Sequence, residues 1–220
     1  MSLSPKQATT GRRERKRQRM ASYLAQTAFD LFEAQGYDAV TMEQIAAEAD
    51  VAKATLYRYF PMKEALVAHH FKEDIIQGMS GLADELAAQK TFESRMRLLL
   101  CQSAAWHESK RTYMPHYLRY INSQAGMSDI QPGPATASSV TWDILAKMFR
   151  EAQRDGEVQK AVAAEKLAWS FEFLLYGAVS SWLLEPESDL AAAFLFAFDL
   201  MMHGVGPQAG VSHRKGSKRV

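Results

Sequence analysis

Apolar residues recur at three- and four-residue intervals along most of this 220-residue chain, and no stretch alternates with a period of two for long enough to make a strand. That pattern predicts an all-α fold. Met20, Leu24, Ala28, Leu31 and Phe32 share one face of a first helix, which Gly36 stops by accepting a positive φ. Thr41 followed by Gln44 reads as a capping box opening a second helix of about two turns, with Met42, Ile45, Ala46 and Ala49 inward. Asp50 and Val51 leave room for a tight turn before a third helix over roughly Ala52–Tyr59, fastened by Val51 and Leu56. Pro61 ends it, and a fourth helix begins near Met62 or Lys63, with Leu66, Ile75, Ile76, Met79 and Leu82 along one side and Gly78 and Gly81 placed to bend or end it. Further helices are expected over roughly 91–109, 114–123, 135–154, 161–184 and 188–203, with Gly126–Pro134 as the clearest loop.

Composition narrows the class. A hydrophobic fraction of 47% beside 23% charged residues describes a globular chain. Cys101, the single cysteine, excludes an intramolecular disulfide and reads as a small apolar residue in a reducing compartment. No apolar run precedes Met20, so no secretory signal is expected. Leu167–Leu184 and Leu190–Met202 are the most apolar segments, and with Glu172 and Asp199 inside them they are expected to fall short of a membrane span. The expected location is the cytoplasm.

A formal net charge of +1 conceals the cationic run RRERKRQR, Arg12–Arg19, and a weaker one near the C-terminus. Residues 1–16 and 206–220 are expected to be a disordered basic arm and tail. The arm is either a solvated tail or a segment that orders on a DNA backbone or in a minor groove. Catalysis has little support. His69 and His70 diverge on a helix, His107 and His116 fall on different predicted helices without partners at metal-ligand spacing, and no glycine-rich phosphate loop or nucleophile elbow is present. No enzyme, catalytic residue, metal or cofactor is expected.

Two short helices joined by a turn of about three residues, with small Ala46 at the crossing, make a helix-turn-helix, whose second helix is presented rather than buried. By itself the pattern also fits an ordinary αα-corner. The wider stretch LFEAQGYDAVTMEQIAAEADVAKATLYRYFPMKEAL, Leu31–Leu66, closely resembles the N-terminal signature of the TetR family of bacterial transcription regulators. The remaining two thirds match that family only in length and helical character.

The resemblance implies a helix-turn-helix DNA-binding domain at 17–62 and a larger effector-binding and dimerisation domain at 63–205. It implies a homodimeric repressor that lays Ala52–Tyr59 in the major groove of a palindromic operator and is released by a small molecule. Lys53 can reach a phosphate or a guanine edge, Ala54 offers a methyl or room for close approach, and Thr55 can donate to a base or a phosphate. Tyr57 and Tyr59 match positions where the family touches the backbone, and Lys63 matches a phosphate-contacting lysine at a helix N-terminus. Thr41 can cap its helix and face a phosphate, and Arg17 joins them from the basic run. Arg58 fits either DNA or solvent. Three departures stand out: Asp50 where glycine is common, and Ala52 and Met62 where serine-like caps are common.

Lys166–Leu184 and Leu190–Met202 are apolar nearly all round and must be covered on both sides. Either they form an internal hairpin or, with a symmetry mate, a four-helix interface, so a homodimer through 161–203 is expected. Gln102 and Trp106, four residues apart, can share a cavity. Tyr113, His116, Tyr120, Trp142, Phe149 and Tyr176 supply further candidate walls for an apolar or aromatic effector, core packing being the alternative for each. Glu172 would meet a cation or donor on the ligand, pair across the dimer, or face solvent. The competing readings are a DNA-binding protein of the same fold without an inducer, acting as a structural or partner-binding factor, and a ligand binder that does not read DNA.

Overall fold

A computed structural model of the chain describes residues 5–125, 140–185 and 187–205, without side chains at 5–10, 124 and 125. The described residues hold helices and no strand: α1 (Pro5–Gln35), α2 (Met42–Glu48), α3 (Lys53–Tyr59), α4 (Lys63–Gly81), α5 (Ala83–Ala88), α6 (Phe92–Ser109), α7 (Met114–Ala125), α8 (Val140–Asp155), α9 (Ala164–Leu184) and α10 (Leu190–His203), with a 3-10 turn at Arg111–Tyr113. The stretch Gly126–Pro134, the expected helix start at 135 and the tail 206–220 lie outside the described residues.

Local chemistry explains the helix ends. Gly36 closes α1 at φ 84°, and its N–H bonds the Phe32 carbonyl at 2.9 Å. Thr41 caps α2 through the reciprocal bonds with Gln44, and Thr91 and Ser94 do the same for α6. Asp189 caps α10 by accepting from the Ala192 N–H at 2.9 Å. α3 and α4 open without a side-chain cap at Ala52 and Met62.

The first helix corrects one expectation. Arg12–Arg19, expected in the main as a disordered arm over 1–16, continues α1 without a break. Arginine, lysine, glutamine and glutamate are good helix formers, so once Leu24, Ala25, Ala28, Phe29 and Phe32 anchor the helix in the core, its N-terminal side propagates cheaply. On α4 the buried side is Leu66, Val67, His70 and Phe71, whereas Ile76 is half exposed and does not share it.

α1 packs on α4, and α4 on α7; α8 packs on α9, and α10 on both α6 and α9. One continuous core results. Its lower part is Phe29, Phe32, Phe71 and the reading-head residues, and its upper part is Phe92, Phe149, Phe171 and Phe198. α9, with 21 residues, is long and apolar enough by length and composition to cross a membrane, contrary to the sequence expectation, since Glu172 alone does not interrupt it. It buries Ala168, Phe171, Val179 and Trp182 against the body.

Candidate nucleic-acid interface and effector chamber

The reading head is built from the turn outward. Asp50 takes φ 50°, the left-handed conformation that aspartate tolerates better than most residues, and Val51 donates to the Ala46 carbonyl at 3.0 Å. Ile45, Ala46, Ala49 and Leu56 are sealed between α2 and α3. Leu56 is the buried residue of α3; Lys53, Ala54, Tyr57 and Arg58 are exposed, and Thr55 and Tyr59 are half-buried. A seven-residue helix too short to persist alone is therefore clamped by its neighbours and turns its polar side outward. Lys53 pairs with Glu43 at 3.5 Å, a solvent-exposed contact worth little and easily exchanged for another anion.

The other expected DNA residues sit around this helix. Thr41 is exposed, its oxygen accepting from the Gln44 N–H while its own proton stays available. Arg17 projects from α1 beside Arg58 and Tyr59. Lys63 is engaged inside the protein. Its ammonium donates to the carbonyls of Tyr37 and Val40, both at 2.7 Å, and lies 4.4 Å from the centre of the Tyr37 ring. It holds the α1–α2 loop to the start of α4, with two of its three protons given to those carbonyls.

Residues expected in the effector domain divide into three groups. Tyr113 and His116 pack on the DNA-binding domain: Tyr113 lies 4.7 Å from the Phe29 ring, and His116 stacks on Tyr37 at 3.7 Å. Burial holds the His116 imidazole below its ordinary value, Arg119 adding to the effect, while burial and then the Glu64 carboxylate push the Tyr37 phenol upward. Phe149 is fully buried between Phe92 and Phe171 in the upper core, and Gln102 is exposed on α6. These four stand apart from the remaining candidate walls in the single chain. Gln102 is exposed whereas Trp106, one turn on, is half-buried against the core.

The third group comprises Trp106, Tyr120, Trp142, Glu172 and Tyr176. Trp106 meets Phe71 edge-on at 5.0 Å, and Phe71 meets Tyr117 at 5.2 Å. The Tyr117 phenol is pushed up to about 12 by burial, with the Glu172 charge adding to it. Tyr176 donates to Asn122 Oδ1 at 3.0 Å, joining α9 to α7, and Tyr120 and Trp142 lie half-buried against the core. The Trp106 indole N–H is buried and has no hydrogen-bond partner among the described residues. Aromatic walls, one carboxylate and one unanswered donor are what a small-molecule site needs. Phe71 and Tyr117 are missing from the expected walls, although Tyr117 falls on the α7 stripe with Tyr113 and Tyr120, and Phe71 lies one turn beyond Val67.

Along α9, Trp169, Phe173, Gly177, Ser181 and Leu184 follow one another at four- and three-residue steps and are exposed, as is Phe196 on α10. In the single chain this hairpin is not internal. Its two small residues lie between large apolar ones, a stripe suited to close helix crossing.

Residues 24–69 match the family of bacterial regulatory proteins of the tetR family. A Mycobacterium tuberculosis protein named as a mycofactocin biosynthesis transcriptional regulator, MftR, is 25% identical over 201 residues, covering 91% of this chain and 97% of its own. The fold is similar to that of Thermus thermophilus FadR, a TetR-family transcriptional repressor in complex with lauroyl-CoA, with a TM-score of 0.71 at 19% identity, covering 87% of this chain and 98% of the other. It is also similar to Bacillus subtilis FadR in complex with stearoyl-CoA, with a TM-score of 0.56 at 18% identity, covering 84% and 98%. The N-terminal residues 24–69, which carry the exposed reading helix, thus match the tetR family of bacterial regulatory proteins, and the helical frame of the chain is similar to that of solved TetR-family regulators.

Proposed function

We propose that the chain is a homodimeric repressor in which residues 17–62 read a palindromic operator and residues 63–205 bind an effector and form the dimer. The carrying observation is α3: Leu56 is fully buried while Lys53, Ala54 and Tyr57 face out, so the helix is rigidly held and its chemistry is directed outside the chain. Lys53, Thr55, Tyr57 and Tyr59 are the proposed contacts, with Ala54 allowing close approach and Arg17, Thr41 and the remaining proton of Lys63 on phosphates. Trp169, Phe173, Leu184 and Phe196, exposed in one protomer, support dimerisation through 161–203. Such a dimer sets the two reading helices about one DNA turn, ~34 Å, apart. Transcription takes place on the chromosome, so the cytoplasm is the proposed location.

The effector reading rests on Trp106, Phe71, Tyr117, Tyr120, Trp142, Tyr176 and Glu172. Mostly apolar walls with one donor and one carboxylate suit a small apolar or aromatic compound carrying a hydrogen-bond acceptor. The acyl-CoA thioesters held by the two FadR proteins join an apolar acyl chain and a thioester acceptor to a polyanionic nucleotide, and are the first class to screen, the acyl part being the portion that such walls suit. Sedimentation tests the assembly: wild type should run as a dimer and Phe173→Asp/Phe196→Asp as a folded monomer with operator affinity lost. A wild-type monomer that binds DNA with full affinity would overturn the reading.

A further inference from the structure

α1 extends beyond the core as a row of cations. Arg13, Lys16 and Arg17, with Met20 at their base, line one side of a cleft of about 610 Å³, and Arg58 and Tyr59, from the end of α3, line the other. Four positive side chains converge there from two helices that are distant in sequence. Among the described residues none of the four has a carboxylate within ion-pair distance, and Glu14, the one acidic residue in Arg12–Arg19, is taken by the Gln18 amide. The Arg58 guanidinium lies 5.8 Å from the centre of the Tyr59 ring, steered by an aromatic face.

Like charges at i, i+3 and i, i+4 spacing, as in Arg13, Lys16 and Arg17, disfavour the helix that carries them. A fold gains nothing by adding Arg58 to that cluster, whereas an external polyanion turns the repulsion into attraction. Arg13 to Met20 spans about 10 Å of helix at 1.5 Å per residue. A duplex presents one phosphate per ~3.4 Å of axis on each strand, so the cleft can meet about three in succession.

We propose that this cleft is a clamp for the DNA strand bordering the groove that α3 enters, closed on one side by the helical extension of α1 and on the other by Arg58 and Tyr59. The inference rests on the reading of α3 as the DNA-reading helix and adds a second surface that positions without reading sequence. It makes Arg58 part of the interface and gives the basic run a preformed shape, in contrast to an arm that orders on contact. It extends the protected DNA outward from each half-site.

The test uses duplexes that wild-type protein enriches from a random library. Arg13→Ala/Lys16→Ala/Arg17→Ala and Arg58→Ala are compared with wild type and with Lys53→Ala/Tyr57→Ala while salt is raised. The clamp predicts that the triple variant lowers the slope of log K against log salt by about 2 to 3 and Arg58→Ala by about 1, with the preferred sequence unchanged. Trimming the flanking base pairs should weaken wild type and leave the triple variant indifferent. Arg13→Lys/Lys16→Arg/Arg17→Lys should keep the wild-type slope, which separates charge from folding. A triple variant with the wild-type slope and the wild-type dependence on flanks would overturn the clamp even where Lys53→Ala/Tyr57→Ala abolishes selection. If wild type selects no sequence at all, the reading of α3 falls and the clamp falls with it.

Discussion

His116 lies nearly flat on Tyr37, with ring centroids 3.7 Å apart and planes 26° from parallel. His116 belongs to α7 and Tyr37 to the loop before α2, so this contact passes from the proposed effector domain to the reading head. The same Tyr37 lends its carbonyl to Lys63 at the start of α4. A shift of α7 therefore reaches the base of the reading head directly as well as through α4, on which α7 also packs. His116→Ala should lower stability by about 1 kcal/mol, the scale of an aromatic pair. It should also reduce the effector's influence on DNA affinity by roughly fivefold, with affinity in the absence of effector little changed. Titrating operator with and without effector checks both.

Lys63→Met removes a cation that satisfies two carbonyls and keeps the length of its aliphatic stem. Charged hydrogen bonds of this kind are worth about 1.5–3 kcal/mol each, and water can replace part of them, so a loss of about 2–3 kcal/mol is expected. Urea unfolding followed by circular dichroism measures it. A loss confined to DNA affinity, with stability intact, would show that the ammonium serves phosphate alone.

Ala52 and Met62 hold the extended conformation of a helix N-cap, at φ −62°, ψ 141° and φ −155°, ψ 163°, yet neither has a side chain that can accept. Ala52→Ser and Met62→Ser should each stabilise the protein by about 0.5–1 kcal/mol. The gains should add, since the two sites cap different helices. Thermal melts of the single and double variants read the result.

His69, His70, His107 and His116 are all held below the ordinary histidine value near 6.5, burial being the first cause in each. For His70 the charges of Asp74 and Glu73 partly oppose this and Lys110 adds to it. The unfolded chain takes up protons at pH 6.5 and just below while the folded chain does not, so stability falls as pH drops from about 6.5 through the depressed folded values. Each such proton contributes up to about 1.4 kcal/mol per pH unit. The melting temperature should be flat above pH 7 and drop steeply toward pH 5, and His107→Leu should make that drop shallower.

The reading head is legible in the sequence because its determinants are local. A capping box, a turn residue tolerant of positive φ, and Ile45, Ala46, Ala49 and Leu56 at helical spacing specify α2 and α3 with little help from the rest of the chain. The missing caps at Ala52 and Met62 can be read for the same reason. The basic segment misleads because charge alone suggests solvation, whereas Phe29 and Phe32 downstream anchor the helix that carries it. The proposed effector walls are the least legible. Which aromatics meet depends on how α4, α6, α7 and α9 cross, so spacing alone does not show that Phe71 meets Tyr117, that Phe149 packs on Phe92, or that Tyr113 and His116 pack on Phe29 and Tyr37.

The central claim is that α3, presented twice by a dimer, reads an inverted repeat. Selecting duplexes from a random library with the purified full chain and sequencing them tests this most directly. The account predicts an enriched palindrome whose half-sites lie about one helical turn, or a multiple of it, apart, and loss of that enrichment in Lys53→Ala/Tyr57→Ala. Enrichment of no sequence, or of a single asymmetric site unaffected by that variant, would contradict it.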